Sequence, residues 1–266
     1  MTTVCVAGAT GWTGRPVAEA IIETADLTLR SAVSRSAAGR DLGDVWGTGA
    51  NDVVVSADVA AALDGVDVLV DYTAPDAVKA NVLAAISAGV HSVIGTSGLS
   101  AEDFEELDAA ARAKGVGVIA AGNFSVTAAM AQAAALLVAP YLPHREIIDY
   151  ASLTKPDAPS GTSRELAERL DAAGRNDIAY PVTDTIGRVE ARGADVAGTQ
   201  VHSLRLPSFV VSTEVVFAMP DERLTIRHDA GSTAGPYVAG TLLAVRECTR
   251  VVGLIRGLDT LLLSRR

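Results

Sequence analysis

The segment from Lys155 to Thr162 has the sequence Lys-Pro-Asp-Ala-Pro-Ser-Gly-Thr, and its residues together could bind a small carboxylate. Lys155 supplies a positive charge, and the residues from Ser160 to Thr162 form a turn that opens a predicted helix. The first backbone N–H groups of a helix are free to bind an anion, and the helix macrodipole favours negative charge there. The segment therefore predicts a carboxylate-binding site made of Lys155, Ser160, Gly161 and Thr162.

A second anion-binding pattern lies near residue 1, where three spaced glycines follow the first predicted strand and open the first predicted helix. Such glycines allow a tight turn, a close approach of a pyrophosphate and close packing of helix on strand. The pattern predicts a dinucleotide-binding loop made of Gly8, Thr10, Gly11, Trp12, Thr13 and Gly14. One site for a nucleotide and another for an acidic substrate together predict an enzyme.

The end of the second predicted strand indicates which nicotinamide cofactor is preferred. An acidic residue at this position binds the ribose 2′-hydroxyl of NAD. This chain has Ser34, Arg35 and Ser36 instead. A guanidinium group binds phosphate oxygens in a bidentate way. We therefore predict that Ser34 and Arg35 bind the 2′-phosphate of NADPH, with NADH as a possible alternative cofactor.

The first half of the chain alternates apolar runs with helical patterns, which predicts βαβ units and a parallel sheet. The strands are apolar throughout, as is typical of strands covered by helices on both faces. The predicted strands are Thr3–Ala7, Leu27–Val33, Asp52–Ser56, Val66–Tyr72, His91–Gly95 and Val116–Ala121. The predicted helices are Arg15–Glu23, Asp58–Leu63, Asp76–Ala88 and Ala101–Ala113. The fold class is therefore α/β, with a Rossmann-type doubly wound parallel sheet.

Polar residues follow several of these strands at their C-terminal ends. Thr73, Thr96 with Ser97, and Asn123 each come directly after a predicted strand or within a few residues of it. Ligands of doubly wound folds bind in the crevice outside these strand ends. These residues are therefore predicted to line the cofactor site.

The pattern changes after Asn123 to that of a second, α+β domain with a mixed or antiparallel sheet. The predicted elements are helix Val126–Val138, strand Glu146–Thr154, helix Ser163–Ala173 and strands Thr199–Leu206, Phe209–Phe217 and Arg223–His228. We expect the last three to be consecutive antiparallel strands, and the chain to be helical again from Ser232. The predicted domains are a dinucleotide-binding domain, 1–124 plus 232–266, and a substrate-binding and oligomerisation domain, 125–231.

Composition limits the classes of partner. The net charge of −10 over 266 residues disfavours nucleic acid. No apolar run of about 18 residues appears, which argues against a membrane span. No basic segment of a signal peptide precedes the first strand, so the expected location is cytoplasmic. Cys5 and Cys248 lie far apart and no Cys/His spacing suits zinc, so neither a disulfide nor a metal site is predicted.

Several strings of residues resemble the 4-hydroxy-tetrahydrodipicolinate reductase family, also called dihydrodipicolinate reductase, over essentially the whole length. The most specific string is Lys155-x-Asp157-Ala158-Pro159-Ser160-Gly161-Thr162. The other strings are Val6-Ala7-Gly8 with its glycine triplet, Val70-Asp71-Tyr72-Thr73, Gly95-Thr96-Ser97-Gly98, Asn123-Phe124-Ser125, His202-Ser203-Leu204-Arg205 and Glu222-Arg223-Leu224-Thr225-Ile226-Arg227-His228.

The resemblance implies a reductase of lysine and diaminopimelate biosynthesis that transfers hydride from NAD(P)H to a cyclic, imine-like dicarboxylate. It implies a Rossmann-type domain rejoined by the C-terminal helix, and a mixed sheet that builds a homotetramer. By the same resemblance, the residues near the nicotinamide and ribose would be Gly95, Thr96 and Ser97. The nicotinamide end would contact Ala121, Asn123 and Phe124, and Thr73 would border the cofactor. Gly161 and Thr162 would donate hydrogen bonds to a substrate carboxylate, with Lys155 close by.

The chain departs from the family in two places. The family usually has a pair of histidines just before the lysine, one of them the proposed proton donor, but here these positions are Ala151 and Ser152. The donor could instead be Lys155, Tyr150 or a bound water. Trp12 stands in the glycine loop where many relatives have a basic residue, which could weaken phosphate binding or add stacking on the adenine.

These departures leave alternatives open. The chain could reduce a different, already protonated imine in a specialised biosynthetic pathway. It could also run the reverse reaction, as an amino-acid dehydrogenase. A non-catalytic NADPH-binding homologue is the third alternative, but the intact Lys155–Thr162 string speaks against it.

Overall fold

The structure is a computed structural model that describes residues 1–209 and 211–264. Its contacts divide the chain into two units. Unit 1 comprises Met1–Val126 and Ala234–Arg266, and unit 2 comprises Thr127–Thr233. The assignment of cofactor binding to one domain and of substrate binding to the other stays a prediction.

Strands and helices alternate in unit 1. Its elements before unit 2 are β1 (Thr2–Ala7), α1 (Gly14–Glu23), β2 (Leu27–Val33), α2 (Leu42–Trp46), β3 (Val55–Ser56), β4 (Val68–Asp71), α3 (Val78–Ser87), β5 (His91–Ile94), α4 (Ala101–Lys114) and β6 (Gly117–Ala120). Most of α5 (Val126–Val138) belongs to unit 2. The further elements of unit 2 are β7 (His144–Ser152), α6 (Gly161–Ala173), β8 (Ala194–Val196), β9 (Thr199–Leu206), β10 (Val211–Met219) and β11 (Glu222–Asp229). Unit 1 then continues with α7 (Gly235–Cys248), β12 (Gly253–Arg256) and α8 (Leu258–Leu263).

The sheet of unit 1 is parallel throughout its described residues, in the order β12-β6-β5-β4-β1-β2-β3. Its central strands are buried on both faces, because helices cover both sides of a doubly wound sheet. Two apolar clusters hold the helices against it. One contains Leu69 and Val33, and the other contains Val82 and Leu107. This architecture confirms the predicted α/β fold class.

The sheet of unit 2 is mixed, in the order β11-β10-β7-β9-β8. Burial alternates along β7, so that Ile147 packs in a core with Leu166 and Leu170 of α6, whereas Ile148 is turned to the other face. One face of this sheet therefore carries α5 and α6. The other face is open, and we call it the open face.

The structure corrects the predicted strand order in unit 2. The strands Thr199–Leu206 and Phe209–Phe217 were expected to be antiparallel neighbours, but β7 lies between β9 and β10 and pairs in parallel with β9. The expected strand Phe209–Phe217 includes Val210, which lies outside the described residues, and the observed strand is Val211–Met219. These two strands are close in the sequence, which predicts a hairpin. Packing against the helices decides instead which strand lies at the centre of the sheet.

Short elements account for the other differences. The C-terminal region expected to be helical contains β12, a four-residue strand paired with β6. The helix predicted at Asp58–Leu63 is a 3₁₀ turn at Ala60–Ala62, and the strand predicted at Asp52–Ser56 is reduced to Val55–Ser56. Short apolar runs do not distinguish strand from helix by periodicity alone. Among residues 1–209 and 211–264, no helix has both the length and the apolar character that a membrane span requires.

Candidate active site

The predicted cofactor-binding residues follow one line across the sheet of unit 1. The strand register places Val33, Ala7, Asp71, Ile94 and Ala120 side by side, and each is the last residue of its strand. Neighbouring strands of a sheet lie about 4.8 Å apart. The residues just beyond this line are therefore brought to one edge, and they are the loop Gly8 to Gly14, Ser34, Arg35, Thr73, Gly95, Thr96, Ser97, Ala121 and Asn123.

The glycine loop between β1 and α1 lies against this edge. Gly8 has a φ of +83°, and a Cβ atom there would overlap the carbonyl oxygen of Tyr72. A Cβ atom at Gly14 would overlap the carbonyl oxygen of Gly8. The backbone N–H groups of Trp12, Thr13 and Gly14 donate to no acceptor among the described residues. The loop therefore fits a pyrophosphate, whose oxygens could accept hydrogen bonds from these groups.

Ser34 and Arg35 lie at the end of β2, beside the glycine loop. The Ser34 Oγ atom is 2.8 Å from the Oγ1 atom of Thr10. Arg35 begins a 3₁₀ turn, is exposed, and makes no side-chain hydrogen bond to the described residues. The two side chains that the sequence assigns to a 2′-phosphate are therefore next to the loop that would hold the pyrophosphate.

Two tryptophans also contact or border the loop. The Trp46 Nε1 atom donates a hydrogen bond of 3.2 Å to the carbonyl oxygen of Ala9, which fixes the loop from its buried side. Trp12 is 53% exposed and packs edge-on against Tyr237 of α7, with 5.8 Å between the ring centroids. The loop thus has one buried and one exposed aromatic neighbour.

Asp71, the last residue of β4, organises the polar side chains of the crevice. It is fully buried, and its Oδ1 atom accepts hydrogen bonds from Oγ1 of Thr73 at 2.7 Å and from Oγ1 of Thr96 at 2.6 Å. The backbone N–H of Thr73 also donates to Oδ1 at 3.0 Å, and Nδ2 of Asn81 donates to Oδ2 at 2.8 Å. One carboxylate therefore holds both predicted threonines in fixed orientations.

An aromatic pair shapes the crevice from beneath. Tyr72 contacts Phe124 edge-on at 6.3 Å between centroids, and its hydroxyl is 2.6 Å from Oγ1 of Thr241. Burial raises the pKa of the Tyr72 phenol. A Cβ atom at Gly95 would overlap the Tyr72 ring, so the chain can pass over this ring only with glycine. Phe124 and Ala121 are buried, and their contact with the nicotinamide stays a prediction.

Ser97 and Asn123 border the same edge with polar atoms. Both are half-buried. The Asn123 Oδ1 atom accepts a 2.8 Å hydrogen bond from the backbone N–H of Ser125, which fixes the orientation of the amide. Both residues therefore lie where the sequence predicted polar contacts with a cofactor.

In unit 2 a second buried carboxylate, Asp149 of β7, anchors the start of α6. Its oxygens accept hydrogen bonds from the backbone N–H of Ser160 at 2.9 Å and from its hydroxyl at 2.6 Å. The hydroxyls of Ser163 and Ser203 also donate to Asp149, each at 3.0 Å. Ser160 is 1% exposed and is the N-cap of α6, so its hydroxyl points to Asp149 rather than outward.

Arg205 of β9 completes this network. Its Nη2 atom donates to Asp149 at 2.9 Å and also to the carbonyl oxygen of Asp157. Burial disfavours the ionised form of Asp149, but hydrogen bonds from Ser160 and the charge of Arg205 outweigh it, so the pKa of Asp149 lies below its ordinary value. The loop that carries Lys155 is thereby tied at Asp157 to the same carboxylate as the helix.

Lys155 lies in that loop, just ahead of α6. Its Nζ atom is 2.8 Å from Oδ1 of Asp157, and its side chain is 27% exposed. Gly161 and Thr162 form the first turn of α6 and are half-buried. Lys155, the first turn of α6 and the loop that Arg205 contacts together make what we call the carboxylate cradle, and its binding of a carboxylate stays a prediction.

Tyr150 is not brought to this cradle. Side chains alternate along a strand, and Tyr150 lies on the open face, opposite to its neighbour Asp149. Its ring contacts Phe209 at 5.1 Å between centroids, and its hydroxyl donates to Oε2 of Glu214 at 3.3 Å. Burial, followed by the nearby Glu214 charge, raises the pKa of Tyr150. Of Lys155 and Tyr150, the two side chains predicted as proton donors, only Lys155 therefore lies at the cradle.

The positions of the family's histidine pair carry no ionisable group here. Ala151 is fully buried, and the Ser152 Oγ atom lies 3.2 Å from Oγ1 of Thr154. His228, in contrast, lines a cavity of about 20 Å³ together with Thr162 of the cradle. Its Nε2 atom is 3.0 Å from Oγ1 of Thr127, and burial lowers its pKa, which favours a neutral imidazole at neutral pH.

The sequence did not assign a role to Asp71, Asp149 or Arg205. Asp71 could have been noticed, because it ends an otherwise apolar, buried strand, where a charge is buried only if it is paired, whereas Asp149 lies in a strand with several other polar residues. The partners could not have been found in this way, since Arg205 lies 56 residues from Asp149 in sequence.

Comparisons with known proteins agree with this geometry. Residues 2–124 match the family model described as dihydrodipicolinate reductase, N-terminus, and residues 123–262 match the model of its C-terminus. A relative from Thermosynechococcus vestitus, named 4-hydroxy-tetrahydrodipicolinate reductase, is 39% identical and aligns with 97% of this chain and 96% of its own length. A relative of the same name from Moorella thermoacetica is 38% identical, with 97% of both chains covered.

A solved structure shares the fold over its whole length. It is a dipicolinate-bound dihydrodipicolinate reductase from Paenisporosarcina sp. TG-14, with a TM-score of 0.76, 25% identity and coverage of 98% of this chain and 99% of that one. The family and the relatives' names make this chain an NAD(P)H-dependent oxidoreductase that takes a nicotinamide cofactor. Its glycine loop, its two aspartate-centred networks and these matches lead to one conclusion: the chain belongs to the dihydrodipicolinate reductase family.

Proposed function

We propose that the chain uses NADPH to reduce the C=N bond of 4-hydroxy-tetrahydrodipicolinate, in the biosynthesis of diaminopimelate and lysine. The observation that carries the proposal is the cradle around Lys155. There Asp149 and Arg205 fix the N-terminus of α6 and the adjacent loop, so that the positive end of the helix dipole and one ammonium group face a substrate carboxylate together.

The chain's own residues would bind the substrate and supply a proton. A bound dihydronicotinamide supplies the hydride, which adds to the imine carbon. As this bond forms, the C=N π electrons move to the nitrogen, which must take up a proton to become an amine. Lys155 holds a proton at Nζ in the cradle, and Asp157 orients this group. With Tyr150 on the open face, Lys155 is the proposed donor.

The preference for NADPH is the second part of the proposal. Its support is the position of Ser34 beside Thr10 and the exposed, unpaired guanidinium of Arg35 among the described residues. We expect Arg35→Ala to raise the KM for NADPH about tenfold and to leave the KM for NADH unchanged, because only NADPH carries the 2′-phosphate. Steady-state assays with both cofactors measure this, and an unchanged ratio of the two KM values would contradict the preference.

We also propose that four copies assemble through the open face of unit 2. The apolar side chains of Ile148, Leu204, Val216 and Ala218 lie on this face and line a cavity of about 670 Å³. Ile186, in the same unit, is 96% exposed. An apolar sheet face of this kind is typical of a surface that another protein chain covers. A second copy of this chain is the partner that the family resemblance favours.

A different imine substrate is the second candidate, and one observation favours it. Ala151 and Ser152 replace the family's histidines, so the donor and a share of the positive charge for two carboxylates are absent at these positions. An imine that is already protonated would not need that donor. A reductase of such an imine in a specialised pathway would keep the same fold and cofactor loop.

The deciding experiment follows NADPH oxidation at 340 nm with freshly generated 4-hydroxy-tetrahydrodipicolinate and, in parallel, with cyclic imines that lack one carboxylate. We expect turnover with the dicarboxylate and competitive inhibition by pyridine-2,6-dicarboxylate. Turnover with a monocarboxylate imine alone would favour the second candidate. Bound NADPH without turnover of any imine would overturn both.

A further inference from the structure

Asp71 is a buried carboxylate for which the proposed chemistry has no direct use. It has no exposed surface, and all four hydrogen bonds that its two oxygens accept come from residues of the cofactor crevice or its supporting helix, namely Thr73, Thr96 and Asn81. Burial of a charge on this scale is unfavourable unless every partner is well placed.

The hydrogen bonds fix the direction of the threonine hydroxyls. A carboxylate oxygen only accepts, and each hydroxyl has a single hydrogen to donate. The hydrogen of Thr73 is therefore directed to Oδ1 of Asp71 at 2.7 Å. That of Thr96 is directed to the same oxygen at 2.6 Å, with the Asp71 backbone carbonyl as a longer acceptor at 3.2 Å. Each hydroxyl oxygen keeps lone pairs but has no hydrogen left to donate. Both side chains can therefore only accept hydrogen bonds from a ligand.

The two threonines are not equivalent. The Thr73 Oγ1 atom already accepts a hydrogen bond from Nδ2 of Asn81 at 3.3 Å. Thr96 follows β5 directly after Gly95, at the carboxyl edge where the strand register places the crevice. Its hydroxyl is therefore the stronger acceptor available to a ligand at this edge.

We infer that Asp71 is a positioning residue that makes Thr96 an obligatory hydrogen-bond acceptor for the carboxamide NH₂ group of the nicotinamide. The inference rests on the proposed function, since it needs a nicotinamide cofactor at this edge. A hydroxyl that is free to rotate would satisfy a carbonyl or an amide equally well. One whose hydrogen is held by Asp71 favours the amide hydrogen and would fix which way round the carboxamide lies.

The test compares NADP⁺ with its 3-acetylpyridine analogue, in which a methyl group replaces the carboxamide NH₂. Dissociation constants are measured on the full-length protein by calorimetry. We expect the wild type to bind NADP⁺ about three- to tenfold more tightly than the analogue, as one neutral hydrogen bond would provide. Thr96→Val should bring this ratio close to one, and Thr96→Ser should keep it.

Asp71→Asn tests the positioning role itself. With its oxygen toward Asn81, the new side chain turns an NH₂ group to Thr96, which donates to the hydroxyl and leaves the hydroxyl hydrogen only the longer contact to the backbone carbonyl of residue 71. The ratio should therefore fall toward one although Thr96 is unchanged, and the double variant with Thr96→Val should lose nothing further. Ser92→Ala is the matched control, because Ser92 lies on β5, is buried, and its Oγ atom has no hydrogen-bond partner among the described residues. It should keep the wild-type ratio.

The outcomes separate this inference from the proposed function. If the wild type binds NADP⁺ and Thr96→Val keeps the wild-type ratio, the inference is wrong and the proposed function stands. If Thr96→Val alone changes the ratio and Asp71→Asn does not, Thr96 is a contact but Asp71 does not position it, and the inference is again wrong. If the wild type binds neither dinucleotide, both fail.

Discussion

At the residue scale, Lys155 is the side chain on which the proposed chemistry depends. We expect Lys155→Met to lower kcat/KM with the imine by at least about 100-fold, the usual size of a lost general acid, and to leave the Kd for NADPH unchanged because the glycine loop is intact. Lys79→Met is the matched control, since Lys79 pairs with Asp103 and Glu106 on unit 1. Wild-type turnover by the Lys155 variant would show that another group donates the proton.

Asp149 gives a prediction about pH. Its pKa is lowered in the folded protein, so its contribution to stability is complete above the ordinary pKa of an aspartate, near 4, and is lost as the pH falls through the folded value. We expect Asp149→Asn to lower the free energy of unfolding at pH 7 by about 3 kcal/mol, because Arg205 loses its buried partner. The difference from wild type should shrink toward pH 3.

Urea unfolding at pH 7, 5 and 3.5 measures this dependence. Asp177→Asn is a suitable control, since the Asp177 side chain is 45% exposed and its pairing with Arg175 is at the surface. A destabilisation of the Asp149 variant that is equal at all three pH values would show that lost packing, and not the charge, accounts for it.

The contrast between Asp149 and Tyr150 shows what sequence reasoning can reach at this scale. The carboxylate cradle is predicted from residue types at short spacing, because a lysine, a helix N-terminus and a turn are local features. The proposed proton donor Tyr150 was chosen for its closeness in sequence, but adjacent residues of a strand face opposite sides of the sheet. The register of β7 is needed to assign Asp149 and Tyr150 to their sides of the sheet.

At the scale of elements, the open face formed by β7, β9 and β10 carries the prediction about assembly. We expect Ile148→Glu to convert the proposed tetramer into smaller species, because the strand register places residue 148 opposite Glu214, and two like charges would be buried together at the proposed interface. Light scattering after size-exclusion chromatography measures the mass. Leu137→Glu, on α5 and 73% exposed, should leave the mass unchanged. A wild-type mass of one chain would contradict the assembly directly.

The same strands mark the limit of prediction for elements. The βαβ alternation of unit 1 was predicted correctly, because each helix covers its adjacent strands and chain order nearly gives spatial order. In unit 2 the central strand β7 pairs with β9 and β10, whose partners are about 50 to 75 residues away. No local pattern encodes such pairings, so the sheet was recognised as mixed while its order was not.

At the scale of the whole molecule, the reactivity of the two cysteines measures how readily unit 1 opens. Cys5 and Cys248 are buried there, and burial raises the pKa of Cys5 to about 11 and that of Cys248 to about 12. We expect the native protein at pH 8 to consume almost no aromatic disulfide reagent, since thiolate is the reactive form. Two equivalents should react in urea, and NADPH should slow the reaction further.

Spectrophotometric titration of the released thiolate measures these equivalents. Pyridine-2,6-dicarboxylate alone should protect the thiols less than NADPH does, because the carboxylate cradle belongs to unit 2, which has no cysteine. Rapid labelling of the native protein would show that unit 1 opens far more readily than its fully buried strands suggest.

The path of the chain has a consequence for synthesis. Unit 1 is interrupted after Val126 and resumes at Ala234, and its edge strand β12 pairs with β6, which is made more than 130 residues earlier. While a ribosome translates the intervening segment, the edge of β6 that β12 will pair with is unpaired, and the surfaces that α7 will cover are exposed to solvent. All of unit 2 is synthesised before unit 1 is complete, so we expect the nascent chain to depend longest on chaperones at unit 1, although most of that unit is made before unit 2.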